Sequence, residues 1–183
     1  MSNNSSQDDL FDSLLTDFLD ESGQLLDRLD QDLLTLDEIV AAAAEVGNEP
    51  ETDPELLNTI FRSAHSLKGL SAMLGLSHIN HLTHRLENVF DAARKKEMSL
   101  TRPMMEITFR AHDALQTMID QLSKGGDDSH DVAQLVKEID ELLKLAGSAR
   151  PVTTQQDAEA TLQALLSGNL GPQEQPAVTT APA

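Results

Sequence analysis

The sequence predicts an all-α protein: an antiparallel four-helix bundle with an additional fifth C-terminal helix. Apolar residues recur at spacings of three and four along five separate segments, which is the pattern of helices that bury one face. Hydrophobic residues make up 39% of the chain but aromatic residues only 3%, with no Trp or Tyr, whereas strands favour aromatic and β-branched residues. Because the segments are joined by short connections, neighbouring helices are expected to pack antiparallel.

The first helix is predicted to follow residues 1–7, which are polar, lack periodicity and are expected to be disordered. Ser5, Ser6 or Asp8 could cap its start. The helix can continue through Ala41–Ala44 and should end before the turn residues at 47–50. Its inward positions are Leu10, Phe11, Leu14, Leu15, Phe18, Ser22, Leu25, Leu26, Leu29, Leu33 and Leu36.

The second helix has the clearest boundaries. Asp53 is a natural N-cap, Pro54 suits the first helical position, and Gly75 is placed to end the helix. Its inward positions are Leu57, Ile60, Phe61, Ala64, Leu67, Ser71 and Leu74.

Three further helices complete the predicted bundle, which spans residues 8–147. The third begins near Ser77 and ends in a cationic turn at 94–96, where positive charge favours the helix dipole. The fourth opens at Thr101 and is broken at 125–126, and the fifth follows Ser129.

Residues 148–183 are rich in Pro, Thr, Gln and Ala, which is typical of a linker. We expect it to lead to a further domain in a longer parent protein, with an ordinary disordered tail as the alternative. One weak helix could form over residues 157–166.

Charge and composition restrict the possible partners and locations. The net charge of −18 argues against binding to nucleic acid or to an anionic membrane. No apolar run approaches the roughly 20 residues that cross a bilayer, and the polar N-terminus does not resemble a signal peptide. The absence of cysteine excludes thiolate chemistry and fits a reducing compartment. We therefore expect a cytoplasmic protein.

His65 is the strongest candidate for chemistry. At 100° per residue it lies roughly 130° from the centre of the apolar stripe of its helix, so it should point away from the core. Lys68, three residues later, lies beside it and could screen the charge of a phosphoryl group on the imidazole. Gly69 has no side chain and would leave room for another protein to approach. A glycine in the middle of a helix costs about 1 kcal/mol relative to Ala, so its presence suggests a functional reason.

The third helix carries a matching pair, His84 and Glu87, which could lie opposite His65 and Lys68 in an antiparallel hairpin. A carboxylate that accepts the N–H of one imidazole nitrogen fixes the tautomer and leaves the other nitrogen as a nucleophile. We predict His65 as nucleophile, Glu87 as orienting carboxylate, Lys68 as electrostatic support and His84 as a member of the same hydrogen-bonding group.

The stretch 17–126 resembles the phosphotransfer domain of CheA-type chemotaxis histidine kinases. The resemblance rests on the segments 61–69 (FRSAHSLKG) and 84–88 (HRLEN), and on the opening FLDES at 18–22. The first two segments also have the expected spacing between long amphipathic helices. Leu70 departs from the small residue expected there, which leaves the fine shape of the docking surface in doubt.

The resemblance implies a function for the chain. A separate ATP-binding kinase domain would phosphorylate His65, and the group would pass to an Asp of a response regulator, with Ser66 and Gly69 on the docking surface. Because no nucleotide-binding motif is found, ATP and Mg²⁺ are assigned to the partner domains and no cofactor to this segment.

Other interpretations stay open. A standalone phosphorelay protein would share the same chemistry, and a non-catalytic helical adaptor would share every feature of the fold. A metal-binding bundle is a further alternative, because His78, His81 and His84 recur every three residues and zinc could take two of them.

Overall fold

The computed structural model describes residues 3–145, with side chains from residue 11 onward. Five α-helices follow one another: α1 (Asn3–Val46), α2 (Pro54–Met73), α3 (Ser77–Arg94), α4 (Arg102–Ser123) and α5 (Ala133–Leu145). No strand occurs in this part of the chain, so the predicted all-α class is confirmed. The linker predicted for 148–183, with its weak helix, lies outside the described residues.

The first four helices close into a bundle, since α1 packs on α2 and α4, and α3 packs on the same two helices. The fifth helix lies against α3 and α4. Among the described helices, none combines the length and the apolar character that a membrane span requires. The largest fully buried side chains are those of Leu26, Leu29, Leu33, Leu36, Ile60, Leu67, Ile79, Leu82, Leu86, Phe90, Met104 and Met105.

The first helix is longer than the sequence predicts. It begins at Asn3, so the prediction of disorder is wrong for residues 3–7, because adding turns to an established helix is far easier than starting one. Its 44 residues span about 66 Å, against about 30 Å for α2. Phe11 and Leu14 are accordingly 50% and 38% exposed, which corrects their predicted inward placement, and Phe18 is the first residue of α1 in the buried core.

The α2–α3 hairpin has the predicted boundaries. The carboxylate of Asp53 accepts a hydrogen bond from the Glu55 amide at 2.9 Å, and Pro54 occupies the first turn. Gly75 adopts a left-handed conformation (φ +71°), which a glycine adopts without steric cost and which reverses the chain between the two helices. This tight connection sets α2 and α3 side by side.

The start of α3 is closed by a residue far along the chain. Asp128, in the connection between α4 and α5, accepts hydrogen bonds from the backbone amides of His78 (2.8 Å) and Ile79 (3.3 Å). These amides belong to the first turn, where backbone N–H groups find no acceptor within their own helix. The carboxylate also lies 3.4 Å from Nδ1 of His78.

The fifth helix begins later than predicted, at Ala133 rather than directly after Ser129. The Asp131 carboxylate accepts from the Ala133 amide at 3.3 Å, and this local cap sets the start. Leu135 and Ile139 bury its inner face, and two ion pairs hold it from outside: Arg85 to Asp140 and Arg110 to Glu138.

Candidate functional site

The hairpin brings His65, Lys68 and Glu87 together. Nδ1 of His65 lies 2.9 Å from one carboxylate oxygen of Glu87, and Nζ of Lys68 lies 2.5 Å from the other. The two α2 residues are three positions apart and therefore share one face of their helix. The sequence predicted that His84 and Glu87 would lie opposite this pair, and in the structure the single carboxylate of Glu87 contacts both residues.

Lys68 and His65 keep Glu87 ionised despite its burial. Its side chain is only 12% exposed, and burial raises the pKa of its carboxyl. The hydrogen bonds and charges of Lys68 and His65 more than offset this effect, so the pKa lies below its ordinary value. Glu87 is therefore a carboxylate near neutral pH and accepts a hydrogen bond from Nδ1–H of the imidazole.

This contact fixes what His65 offers to solvent. A neutral imidazole that donates from Nδ1 carries its lone pair on Nε2. The side chain of His65 is 61% exposed, as expected for a residue away from the apolar stripe. The arrangement can therefore present an oriented nitrogen nucleophile at the protein surface.

An aromatic contact that the sequence analysis missed also reaches the imidazole. The rings of Phe61 and His65 are stacked, with centroids 5.9 Å apart and planes 18° from parallel. The guanidinium carbon of Arg94, at the end of α3, lies 3.9 Å from the Phe61 ring centroid. The i, i+4 spacing of Phe61 and His65 is the signal that could have indicated the stack.

His84 lies close to the site but is not hydrogen-bonded into it. Burial lowers the pKa of its imidazole, and the charges of Lys68 and Arg85 lower it further, against the opposing effect of Glu87. Within residues 3–145, no hydrogen bond joins His84 to His65, Lys68 or Glu87. The structure therefore places His84 as a half-buried neighbour of the site, and its membership of the hydrogen-bonding group stays a prediction.

The surface beside His65 is open. Ser66 and Gly69 are both exposed, and a methyl group added at Gly69 would meet nothing within 4 Å. Leu70, which departs from the family pattern, is half-buried and packs against the core. The side chain that raised doubt therefore turns partly inward.

The histidines spaced by three do not assemble a metal site in the described part of the chain. No group of three or more His, Asp or Glu side chains in that part is placed to hold a metal ion. His78 instead pairs with Asp128, and burial lowers the pKa of His81, which has Arg85 and Asp140 nearby.

Comparison with known proteins agrees with the resemblance. The family model described as "Hpt domain" matches residues 13–125. The chain is 38% identical over 144 residues to the chemotaxis protein CheA of Bacillus subtilis, covering 77% of this chain and 20% of that protein. It is 36% identical over 137 residues to the sensor histidine kinase CheAY of Helicobacter pylori, covering 75% and 15% respectively. The chain thus spans a fifth or less of the length of these two relatives.

Solved structures agree as well. A solution structure of the histidine phosphotransfer domain of CheA matches with a TM-score of 0.59 and 29% identity, covering 69% of this chain and 89% of that one. The CheA phosphotransferase domain of Thermotoga maritima matches at 0.51 and 32%, covering 60% and 93%. The phosphorylated P1 domain of CheA3, solved in complex with CheY6 from R. sphaeroides, shares the fold at 0.61 and 22%, covering 74% and 98%.

Proposed function

Since this chain belongs to the Hpt domain family, we propose that His65 accepts a phosphoryl group from an ATP-bound kinase domain and passes it to an Asp of a response regulator. The observation that carries the proposal is the 2.9 Å contact between Nδ1 of His65 and Glu87, on an imidazole that is 61% exposed. A surface histidine is common, but one whose inner nitrogen is held by a buried carboxylate is suited to attack through the other.

In the proposed reaction the imidazole ring loses no proton. The Nε2 lone pair attacks the γ-phosphorus of ATP, the N–P bond forms, and the bond to the ADP oxygen breaks with its electron pair on ADP. The imidazole gains positive charge while keeping its Nδ1 proton, and the Glu87 carboxylate stabilises that charge at 2.9 Å. In the onward step an Asp oxygen attacks phosphorus and the ring leaves as the same neutral tautomer.

Lys68 and His84 have supporting roles in this proposal. Lys68 lies against Glu87 and beside His65 on the α2 surface, where its charge offsets that of a bound phosphoryl group. His84, neutral because burial and the neighbouring cations lower its pKa, adds no further charge next to the imidazole. Ser66 and Gly69 give the partner domains access to His65.

The setting of the reaction is part of the same proposal. ATP and Mg²⁺ belong to the partner domains, and the reaction takes place in the cytoplasm. Relatives of which this chain spans 15 to 20% favour a segment of a longer chemotaxis-type histidine kinase over a standalone phosphorelay protein.

The decisive experiment is phosphorylation by a purified ATP-binding kinase domain of a CheA-type kinase with ATP, followed by mass spectrometry that locates the phosphate. We expect a base-stable, acid-labile phosphate on His65, and none in a His65→Gln variant with unchanged helical circular dichroism. His130→Gln, at an exposed histidine in the α4–α5 connection, is the matched control and should label normally. Phosphate on the His65→Gln chain, or on another residue of the wild type, would contradict the assignment, and an adaptor would take up none.

A further inference from the structure

We propose that Phe61 and Arg94 are positioning residues that hold the His65 imidazole in its reactive orientation. The inference rests on the proposed role of His65 and deepens it. The His65 ring is 61% exposed, and the described hydrogen bonds hold it at Nδ1 alone. One hydrogen bond leaves an exposed ring free to swing away from the carboxylate, and the Nδ1–H tautomer is no longer fixed while the ring is away.

The Phe61 ring supplies the missing restraint. Its plane lies 18° from that of the imidazole at a centroid separation of 5.9 Å, within the range of favourable offset stacking. The carboxylate holds the edge of the imidazole, whereas the phenyl ring holds its face. Together the two contacts restrict both side-chain torsions of His65 and leave Nε2 as the nitrogen that carries the lone pair.

Arg94 in turn holds Phe61. Its guanidinium carbon lies 3.9 Å from the centroid of the phenyl ring, a close cation–π distance. The guanidinium is itself anchored, because Nε and Nη2 donate to one carboxylate oxygen of Asp91 at 2.9 and 2.8 Å. Phe61 is also partly buried against the core, so its ring is held from two sides.

The contacts therefore form a series that runs from Asp91 through Arg94 and Phe61 to His65. Its first two members belong to α3 and its last two to α2, so the same hairpin that supplies Glu87 also supplies this second restraint. Attack at phosphorus requires the lone pair to be aligned within a narrow angle, and small misplacements slow such reactions strongly. The series should therefore affect the rate of phosphorylation without contributing an atom to the reaction.

The test compares Phe61→Leu and Arg94→Gln with the wild type. Phe61→Leu keeps an apolar side chain against the core but removes the ring, and Arg94→Gln removes the cation from the end of α3. Arg62→Gln is the matched control, since Arg62 is exposed on α2 and pairs with Glu55 away from the rings. Each variant is measured for its phosphorylation rate and, without any phosphodonor, for the tautomer of His65 by two-bond ¹H–¹⁵N correlation.

We expect Phe61→Leu to slow phosphorylation by about 10-fold and Arg94→Gln by about 3-fold, as losses of orientation rather than of chemistry. The Nδ1–H signal of His65 should weaken in the same order, while Arg62→Gln matches the wild type in both measurements. Wild-type rate and tautomer in both variants would overturn the inference. So would a slow rate that is accompanied by an unchanged tautomer.

The two proposals fail in different ways. If His65 is not the phosphoacceptor, the wild type takes up no phosphate on it, yet the tautomer measurement still reports whether Phe61 and Arg94 orient its ring. If Phe61→Leu unfolds the bundle, the Arg94→Gln variant still tests the inference. The Arg94 side chain is one-third exposed, so its substitution removes no core volume.

Discussion

The α2–α3 and α1–α4 pairs each contain a histidine that joins two helices, and the two histidines differ in what remains free. His112 of α4 is 8% exposed, and its Nε2–H donates to the backbone carbonyl of Leu26 at 3.1 Å. His65 of α2 is exposed, and its Nδ1–H is held by a carboxylate. Both rings bridge helices, but the carboxylate beside His112 is the exposed one of Asp113, 3.8 Å from Nδ1 and beyond hydrogen-bond distance. His65 instead combines an exposed ring with a buried carboxylate at 2.9 Å that can stabilise a charged ring. Exposure and a close, buried carboxylate therefore distinguish His65 from His112.

Removal of the carboxylate that holds His65 should have the largest effect. Glu87→Ala should slow phosphorylation of His65 by about 10²-fold, equivalent to about 2.7 kcal/mol in activation free energy, since the tautomer is no longer fixed and the charged ring is no longer stabilised. The rate of label incorporation from a kinase domain and ATP measures the effect. An unchanged rate would mean that exposure alone makes His65 an acceptor.

The neighbouring position provides the control. Leu86 is 1% exposed, and Leu86→Ala should lower the free energy of unfolding by about 2–5 kcal/mol through the cavity it leaves. The folded fraction should nevertheless be phosphorylated at close to the wild-type rate. Adjacent residues of α3 would then separate stability from reactivity.

The buried histidine, His112, should affect stability rather than phosphorylation. His112→Ala should lower the free energy of unfolding by about 1–3 kcal/mol, because it removes a buried hydrogen bond and packed volume between α1 and α4. Urea denaturation followed by circular dichroism measures the loss. Phosphorylation of the folded protein should be unchanged; a variant that folds normally but takes up no phosphate would show that the two histidines are not independent.

The smallest effect is a dependence of stability on pH. Folding lowers the pKa of Glu87, so the unfolded chain binds more protons than the folded one between the lowered value and the ordinary value of 4.5. The contribution of Glu87 is therefore complete above pH of about 5 and is lost as the pH falls through the folded pKa. The free energy of unfolding, measured from pH 6 to pH 3, should fall less steeply for Glu87→Gln than for the wild type. An equal fall in both proteins would contradict the assignment.

The sequence was sufficient wherever local chemistry decides the structure. Asp53, Pro54 and Gly75 bound α2 through caps and backbone conformation that neighbouring residues set, and the i, i+3 spacing of His65 and Lys68 placed both opposite Glu87. Periodicity also identified the inner face of α1. It could not say how far the neighbouring helices reach, and Phe11 and Leu14 were misplaced for that reason.

Contacts between distant segments account for the rest. Asp128 caps α3 from 50 residues away, and no pattern within α3 announces it. The stack of Phe61 on His65 depends on ring orientations that Arg94 and Glu87 of the neighbouring helix set. His84 has the right spacing for the hydrogen-bonding group, but Glu87 makes both described contacts, one to His65 and one to Lys68.

The Asp128 cap also has a consequence for the order of assembly. The hairpin that carries His65 is local in sequence, yet the first amides of α3 gain their partner only when the α4–α5 connection has reached them. A fragment that ends at Ser123 would retain the four bundle helices and every residue of the candidate site. The first turn of α3 would then lose its cap and fray. The α4–α5 connection therefore stabilises the hairpin that carries His65, although it supplies no residue to the candidate site.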